Sequence, residues 1–112
     1  MKEKISFDEF IEIEKKLEIC VGKILNAELV PKSNGLKLTI KFGENEGDIK
    51  TAFTNLGKTH TPEQLIGITC PFIMNLEPSV IKGVTSEVMI VVGKSLNDVD
   101  EFENYSIGSK LL

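Results

Sequence analysis

Strict alternation of apolar and polar residues over positions 36–42, LKLTIKF, is the feature that most constrains the fold of this chain. Leucine, isoleucine and phenylalanine take every second position, and two lysines and a threonine lie between them. Because successive side chains of a strand point to opposite faces, the pattern predicts a half-buried strand with a basic outer face. A chain of 112 residues with 41% apolar content has room for one such core.

Four other apolar runs predict further strands. The first covers 17–29 and contains Gly22, where we expect a bulge or a sharp bend. The three runs after residue 42 predict strands at 48–54, 68–74 and 88–92. Pro71 interrupts one of these runs and indicates an edge strand or a bulge. The residues expected to share one face of the first strand are Leu17, Ile19, Val21, Leu25, Ala27 and Leu29.

Two short helices accompany these strands. Ser6 and Glu9 form a capping box, in which each side chain takes a free backbone amide of the other residue, so a helix is expected at about 7–15. Its apolar face is short and suits the end of a core or a partner chain. Pro62 occupies the first position of a second helical turn, which Gly67 ends.

Five strands with a short helix between the third and fourth have the element order of an OB-fold, a small Greek-key barrel. We therefore predict an all-β fold with a short N-terminal helix, a one-turn helix between strands 3 and 4, and a C-terminal extension. A single domain is expected over 1–112, with its barrel core at about 17–93 and the extension at 94–112.

The charge of the chain limits its partners. Its net charge of −4 disfavours strong nonspecific binding to nucleic acid. All 13 basic residues are lysines, so the bidentate guanine contacts and base stacking of arginine are not available. Six lysines nevertheless lie within 15–41 against two glutamates, and they form either a steering patch or an ordinary solvated face.

Several other classes of protein are disfavoured. Cys20 and Cys70 lie in different predicted strands and are expected to be packed, reduced thiols rather than a disulfide or a redox pair. Together with the single histidine, His60, which we expect in an exposed loop, they are too few for a zinc site. The apolar runs are too short for a membrane span and the N-terminus has no export signal, which predicts a cytoplasmic protein without metal or cofactor.

Residues 75–89, NLEPSVIKGVTSEVM, are predicted to form the functional loop. The stretch lies between the apolar runs of the fourth and fifth strands and is too polar for a core. Pro78 and Gly83 within it mark turns. A loop held between buried strands is a common place for the binding residues of a small domain.

Three segments of the chain together resemble the tRNA-binding domain family, which is built on the OB-fold. They are SFDEFIEIEKKLEICVGKILNAELVPKSNGLKLTIKFG, TPEQLIGITCPFIMNLEP and IKGVTSEVMIVV. The resemblance covers about residues 5–93, and the C-terminal YSIGSKLL is similar to the closing strand of stand-alone members. Its most specific part is the spacing of Asn75, Leu76, Pro78, Gly83, Ser86 and Met89.

The resemblance implies a binding protein without catalytic machinery. The family includes domains appended to methionyl-tRNA synthetases, structure-specific tRNA-binding proteins and the export-related chaperone CsaA, and this chain looks most like the last two. It implies a homodimer, built in part by the terminal extensions, that acts in protein export as a chaperone for unfolded or pre-export polypeptide. The alternative is a protein that binds tRNA or other structured RNA and acts in trans with aminoacyl-tRNA synthetases.

The matched positions imply a binding surface. Asn75, Ser86 and Met89 correspond to the family's conserved trio, of which the first two can hydrogen-bond bases, ribose or peptide groups. Met89 offers a soft apolar contact, and Lys82 in the same loop is expected to meet phosphate. The other candidates for binding nucleic acid or peptide are Lys32, Lys37, Lys41 and Phe53.

Each candidate also has an ordinary structural role open to it. Asn75 and Ser86 would then cap a loop, Met89 would lie in the core, and the lysines would form a solvated face. Phe53 and Phe72 are expected in the core first and as binding platforms second. A module that docks on a synthetase is a third interpretation of the family match.

The chain departs from the family pattern at three places. EICVG at 18–22 lacks the family's arginine, SNGL at 33–36 lacks its lysine, and Val88 replaces the glycine before the methionine. The lost cations and the acidic balance favour the chaperone over high-affinity tRNA binding. They do not affect the predicted fold.

Overall fold

The computed structural model describes residues 2–91 and 107–111. It is a nearly closed antiparallel barrel whose five main strands lie in the sheet order β3-β2-β1-β4-β7, and a small hairpin pairs β5 with β6. The predicted all-β, OB-type barrel is confirmed. The elements are α1 Phe7–Lys16, β1 Ile19–Leu29, β2 Leu36–Lys41, β3 Ile49–Thr54, α2 Pro62–Leu65, β4 Thr69–Ile73, β5 Ser79–Ile81, β6 Val84–Ser86 and β7 Met89–Ile90, with 3-10 turns at Glu46–Asp48 and Leu56–Lys58.

The core lies inside the barrel and is built from the alternating strands. Leu36, Leu38 and Ile40 are fully buried, as their alternation predicts, and the residues between them lie on the outer face. Phe72 of β4 is also fully buried, so its expected core position is confirmed. Its ring meets that of Phe42 edge to face, with the ring centroids 5.4 Å apart, and this pair anchors one end of the core.

β1 contains a bulge, but it lies three residues later than expected. The register with β2 shifts between Ile24 and Asn26, so Leu25 is the extra residue. Leu25 and Leu29 are exposed, whereas Ala27 is buried. Ala27 and Leu29 lie opposite Leu38 and Leu36, so these two residues share a face as predicted, although Leu29 is exposed near the end of the strand. The prediction of a single face along the whole strand is wrong, because the bulge at Leu25 breaks the period of two on which it relied.

Gly22 and Pro71 fit the sheet for reasons other than those predicted. A Cβ on Gly22 would lie 2.4 Å from the Phe42 ring, so the glycine lets this ring pack across β1. Pro71 lies in a strand that is paired on both sides, so the prediction of an edge is wrong. β7 ends at Ile90, and the Val91 N–H donates to the Pro71 carbonyl at 2.9 Å. The N–H that Pro71 lacks would have pointed towards β7, which has already ended at this position, so the sheet loses no strand hydrogen bond there.

α1 begins as predicted and stands on the outside of the barrel. The Ser6 hydroxyl accepts the Glu9 N–H at 3.1 Å, which is one half of the predicted capping box. The helix runs to Lys16, one residue beyond the predicted end. All ten of its residues are at least partly exposed, so α1 does not plug the barrel core. Packing against a partner chain is the other role that the sequence left open for this helix.

Residues 75–89 contain a β-hairpin, which corrects the prediction of a loop. Ile81 lies opposite Val84, and the two residues between them, Lys82 and Gly83, have φ of 51° and 83°. Positive φ at both central residues is the type I′ turn, which suits the twist of a hairpin. The predicted turn at Gly83 is thus confirmed. Each strand has only three residues, which is too few to show a period of two.

The segment 107–111 packs on the barrel beside β1. The Val21 N–H donates to the Ser109 carbonyl at 2.9 Å, and the Gly108 N–H donates to the Val21 carbonyl at 2.7 Å. The Leu111 N–H donates to the Ile19 carbonyl at 2.7 Å. These bonds satisfy the side of β1 that faces away from β4. The rest of the predicted extension, 94–106 and 112, and the predicted end of the fifth strand at Val92 lie outside the described residues.

His60 is buried, which corrects the prediction of an exposed loop residue. It follows the 3-10 turn Leu56–Lys58, and its N–H donates to the Leu56 carbonyl at 2.8 Å. Its Nδ1 shares a 2.7 Å hydrogen bond with the Thr59 hydroxyl. The turn packs tightly on the β1–β2 connection, where a Cβ on Gly57 would lie 2.2 Å from the Asn34 carbonyl oxygen. The polar composition of residues 55–61 predicts exposure, and it does not reveal this close packing.

Candidate nucleic-acid interface

The barrel closes between β3 and the end of the β5–β6 hairpin. The Glu87 N–H donates to the Thr51 carbonyl at 2.8 Å, and the Glu87 carboxylate accepts the Thr51 N–H at 2.9 Å. The Ser86 hydroxyl accepts the Phe53 N–H at 3.1 Å and donates to the Val88 carbonyl at 3.2 Å. Side chains thus satisfy edge amides of β3, which fixes this strand against the hairpin.

A cleft of about 350 Å³ opens beside this closure, and we call it the Phe53 cleft. Its walls are mainly apolar, with a hydroxyl and an amide side chain on one side. The lining residues come from three separate segments and are Phe53, Thr54, Asn55, Leu56, Ile81, Met89 and Ile90. The sequence singles out only Phe53 and Met89 among them, because a cleft lined by separate segments leaves no periodic pattern in the chain.

Phe53 lies on the outer face of β3, so its expected core position is wrong. It is half-buried and lies opposite Lys37 of β2 in the strand register. Its neighbour Ala52 faces the core and is fully buried. Met89, whose alternative position was the core, is 47% exposed on the cleft wall. Both residues are therefore available to a ligand, and their contact with one stays a prediction.

Three lysines are neighbours of cleft-lining segments, by strand register or along the chain. Lys37 is the cross-strand neighbour of Phe53 on the outer face. Lys82 directly follows a lining residue at the hairpin turn, and Lys58 ends the 3-10 turn that contributes another part of the wall. The structure thus places Lys37 beside Phe53 and the other two lysines next to parts of the cleft wall in the chain, and cations near a cleft attract a polyanion.

The other two candidate lysines do not line this cleft. Lys32 lies in the exposed turn after β1, with φ of 62°. Lys41 forms an ion pair with Glu44, with the charged atoms 3.2 Å apart, and lies opposite Lys23 in the register of β1 and β2. An exposed ion pair contributes little stability, so Lys41 can exchange its partner at low cost. A role for either lysine in binding stays a prediction.

Asn75 ties α1 to the barrel. Its side-chain oxygen accepts the Glu18 N–H at 2.8 Å, and its side-chain nitrogen donates to the Lys16 carbonyl. Both polar groups of the amide thus join the end of the helix to the exit of β4, which agrees with the capping role that the sequence left open. Ser86 is likewise bonded to the backbone on both sides. Their contact with a ligand stays a prediction.

The two cysteines are free and buried, as predicted. Burial raises the pKa of the Cys70 thiol to about 12. The pKa of the Cys20 thiol is also raised, mainly by burial and next by the nearby charge of Glu18. The charge of Lys110 opposes this shift in part. Across residues 2–91 and 107–111 no group of three or more metal-ligating side chains is found, and no helix combines the length and apolarity that crossing a membrane requires.

A small barrel with a mainly apolar cleft on its outer face has the form of a binding domain. A family model described as "Putative tRNA binding domain" matches residues 19–107. The chain belongs to this family of tRNA-binding domains.

Curated relatives carry the same domain within much longer proteins. The methionine–tRNA ligase of Methanococcoides burtonii is 38% identical over 98 residues, which are 87% of this chain and 14% of that enzyme. The methionine–tRNA ligase of Porphyromonas gingivalis is also 38% identical over 98 residues, which are 88% of this chain and 13% of that enzyme. The chain thus spans about a seventh of the length of these relatives.

Solved structures of similar size match nearly the whole chain. A MetRS-related protein from Pyrococcus horikoshii has a TM-score of 0.78 at 24% identity and covers 99% of this chain and 100% of its own. The chaperone CsaA from Bacillus anthracis has a TM-score of 0.73 at 26% identity and covers 98% of this chain and 100% of its own. These matches agree with the barrel described above.

Proposed function

We propose that this chain binds tRNA, or another structured RNA, in the Phe53 cleft and that it acts by binding rather than by catalysis. The observation that carries the proposal is a half-buried aromatic side chain that lines a cleft and lies opposite Lys37 in the strand register. Aromatic side chains next to cations bind unpaired bases together with their phosphates. Membership in the family of tRNA-binding domains supports the same ligand.

Retention of unfractionated tRNA on filters, measured at increasing salt, tests this proposal. Each lysine–phosphate contact adds about 0.7 to 0.9 to the slope of log affinity against log salt. The variant Lys37→Gln/Lys82→Gln should flatten the slope by about 1 to 2. The matched variant Lys2→Gln/Lys4→Gln, with the same charge change on exposed residues before α1, should keep it. No retention at low salt, or equal slopes in both variants, would contradict the proposal.

We further propose that the chain is a homodimer in which a second copy covers the apolar face of α1. Phe7 is 75% exposed, and Phe10 and Ile13 on the same helix are also exposed. The first turn of α1 is acidic and its last turn is basic, so two antiparallel copies would bring opposite charges together. Burial of this face between two copies would remove a cluster of large apolar side chains from water.

Light scattering after gel filtration tests the dimer. The wild-type chain should have twice the mass of one chain, and Phe7→Glu/Phe10→Glu should have the mass of one. Val80→Glu is the matched control, because Val80 is 71% exposed but lies on the hairpin. A wild-type monomer, or a dimer that survives the α1 variant, would contradict this part of the proposal.

A second candidate function is that of a CsaA-type, export-related chaperone. Large apolar side chains are exposed at the cleft and beside it, and the net charge of −4 suits a polypeptide better than a polyanion. An extended, unfolded or pre-export polypeptide would pair with a strand edge and fill apolar positions. Ile81 and Met89 line the cleft and are exposed, and Leu76 and Val80 are exposed elsewhere in residues 75–89.

Suppression of the aggregation of a thermally unfolded protein tests the chaperone function. Met89→Lys should weaken the suppression, and Ile49→Lys should not, because Ile49 is about equally exposed but begins β3 and does not line the cleft. Unchanged aggregation at a several-fold excess of the wild-type chain would rule this function out.

In the alternative form of the RNA-binding proposal, the chain acts in trans with aminoacyl-tRNA synthetases. The protein would then act in the cytoplasm. The similarity to methionine–tRNA ligases supports it. Immobilised chain should retain purified methionyl-tRNA synthetase when tRNA is present, and Lys37→Gln/Lys82→Gln should weaken the retention. Retention that does not depend on tRNA would indicate direct docking on the enzyme instead, and no retention in either case would contradict both.

A further inference from the structure

We propose that the Phe53 cleft receives one unpaired nucleobase of the bound RNA, stacked on Phe53, and that Gly35 determines this specificity by leaving space for the ring. The inference rests on the proposed RNA-binding function and names the part of the RNA that enters the cleft. Phosphate contacts of the lysines carry no base information, so a base platform is a separate property that can be measured separately.

Gly35 is buried beneath the tip of the Phe53 ring. A Cβ built on Gly35 would lie 2.2 Å from Cζ and 2.3 Å from Cε2 of Phe53, far inside contact distance. The φ of Gly35 lies outside the left-handed region, so the backbone of the turn does not itself require glycine. The position therefore needs glycine because of the ring, and any side chain there would displace Phe53.

Hydrogen bonds fix the backbone of Phe53 and the backbone of Gly35, each through a serine hydroxyl. The Phe53 N–H donates to the Ser86 hydroxyl at 3.1 Å. The Gly35 N–H donates to the Ser33 hydroxyl at 3.0 Å, and this hydroxyl donates to the Val30 carbonyl at 3.0 Å. Ser86 and Ser33 are thus positioning residues for the ring. A platform fixed in this way loses little conformational entropy when a ligand binds.

The chemistry of the cleft fits a nucleobase. Its volume of about 350 Å³ is near the lower end of the range for small-molecule sites, roughly 300 to 1,000 Å³. Met89 and Leu56 give an apolar wall for a ring. Asn55 contributes an exposed amide, which can both donate to and accept from the edge of a base. Lys37 lies opposite Phe53 in the register and Lys82 follows the lining residue Ile81, so both are expected to meet phosphates on either side of that base.

Two RNA hairpins separate base contacts from phosphate contacts. They share the stem and the loop length, but in one of them the loop nucleotides are abasic, so that every phosphate is kept. The wild-type chain should bind the base-bearing hairpin roughly 5- to 150-fold more tightly, the range for stacking one base on an aromatic side chain. Equal binding would overturn the inference and leave RNA binding intact. If the chain binds neither hairpin and does not bind total tRNA, both the base-stacking inference and the proposed RNA-binding function are overturned.

Gly35→Ala tests the glycine, and Gly47→Ala is its matched control because a Cβ on Gly47 meets no atom within 4 Å. The first variant should lose most of the preference for the base-bearing hairpin, and the second should keep it. Phe53→Leu removes the ring but keeps apolar bulk, and it should lose the same preference without a clash. This third variant keeps the test decisive if Gly35→Ala does not fold.

The double variant Gly35→Ala/Phe53→Leu distinguishes positioning from general damage. Because Gly35 acts through the ring, the double variant should lose no more of the hairpin preference than Phe53→Leu alone. Additive losses, or a Gly35→Ala chain with the wild-type preference, would overturn the role of the glycine. Equal binding of both hairpins, together with displacement of RNA by an extended apolar peptide, would assign the cleft to polypeptide instead.

Discussion

The Phe53 cleft and the apolar face of α1 both expose large apolar side chains, but they are built differently. The cleft stands on the closed barrel: a hydroxyl holds the Phe53 backbone, and the ring fits over Gly35. α1 is held by its cap at Ser6 and by the amide of Asn75 at its end, with all ten residues at least partly exposed. The first surface is complete in one chain, whereas the second would gain its packing from the second copy proposed above.

This difference separates two kinds of exposed apolar surface. A preformed cleft needs little rearrangement to bind a ligand, because its side chains are already ordered in the folded chain. An unpacked amphipathic helix remains marginal until another surface covers it, since tertiary packing supplies most helix stability. Perturbations of the barrel should therefore affect stability and RNA binding together, and perturbations of α1 should affect association.

The largest expected effect comes from the core residue beneath the cleft. Phe72 is fully buried and lies opposite Ile90, a cleft-lining residue, in the strand register. Phe72→Ala should lower the free energy of unfolding by about 3–5 kcal/mol. Phe7→Ala on α1 should change it by less than about 0.5 kcal/mol in dilute protein, where association does not contribute. Urea unfolding measures both, and equal losses would contradict the contrast between barrel and helix.

Ser86→Ala should weaken the cleft itself. The variant leaves the half-buried Phe53 N–H without its acceptor, which costs about 1–3 kcal/mol. Ser79→Ala is the matched control, because Ser79 lies opposite Ser86 in the hairpin and is exposed. Thermal unfolding and tRNA retention should both fall in the first variant only. A Ser86→Ala chain of full stability with reduced tRNA binding would instead indicate that the hydroxyl contacts RNA directly.

Alkaline pH should loosen the barrel through Cys70. The pKa of this thiol is about 12 in the folded chain against 9.0 for an unperturbed thiol. A raised pKa gives stability that is fully present below pH 9 and is lost as the pH rises from there towards 12, by at most about 1.4 kcal/mol per pH unit. Cys70→Ala should reduce this slope in urea unfolding between about pH 9 and about pH 11. An unchanged slope would show that other groups cause the loss.

The smallest expected effect concerns the cap of α1. Ser6→Ala removes the hydroxyl that accepts the Glu9 N–H and should cost about 1 kcal/mol of helix stability. Hydrogen exchange should then be several-fold faster for amides of α1 and unchanged for β2. Faster exchange in both elements would mean that the helix supports the barrel more than its exposure indicates.

The sequence predicts the barrel well because strands leave a local pattern. Leu36, Leu38 and Ile40 alternate with polar residues, and such alternation identifies both the strand and its buried face. Phe53 shows the limit of this pattern: alternation groups it with Thr51 but does not say which face of β3 is inside. That depends on Ala52, a small residue whose burial no hydrophobicity pattern marks clearly.

The candidate site is less predictable because its contacts join distant parts of the chain. Ser86 meets Phe53 and Asn75 meets Glu18 across long stretches of sequence, and neither pairing has a local signal. His60 is buried next to a turn that packs closely on the β1–β2 connection, and composition reveals neither the burial nor the packing. The hairpin within 75–89 has strands of three residues, so only its turn at Gly83 is visible in the sequence.

Methyl NMR of the methionines tests the central claim, that RNA enters the Phe53 cleft, most directly. The chain has three methionines, and two of them differ as probes: Met89 lines the cleft, whereas Met74 packs against the core. Addition of unfractionated tRNA to chain labelled at methionine methyls should shift or broaden the Met89 signal strongly and the Met74 signal little. A Met89 signal that stays unchanged while tRNA is bound would contradict the account.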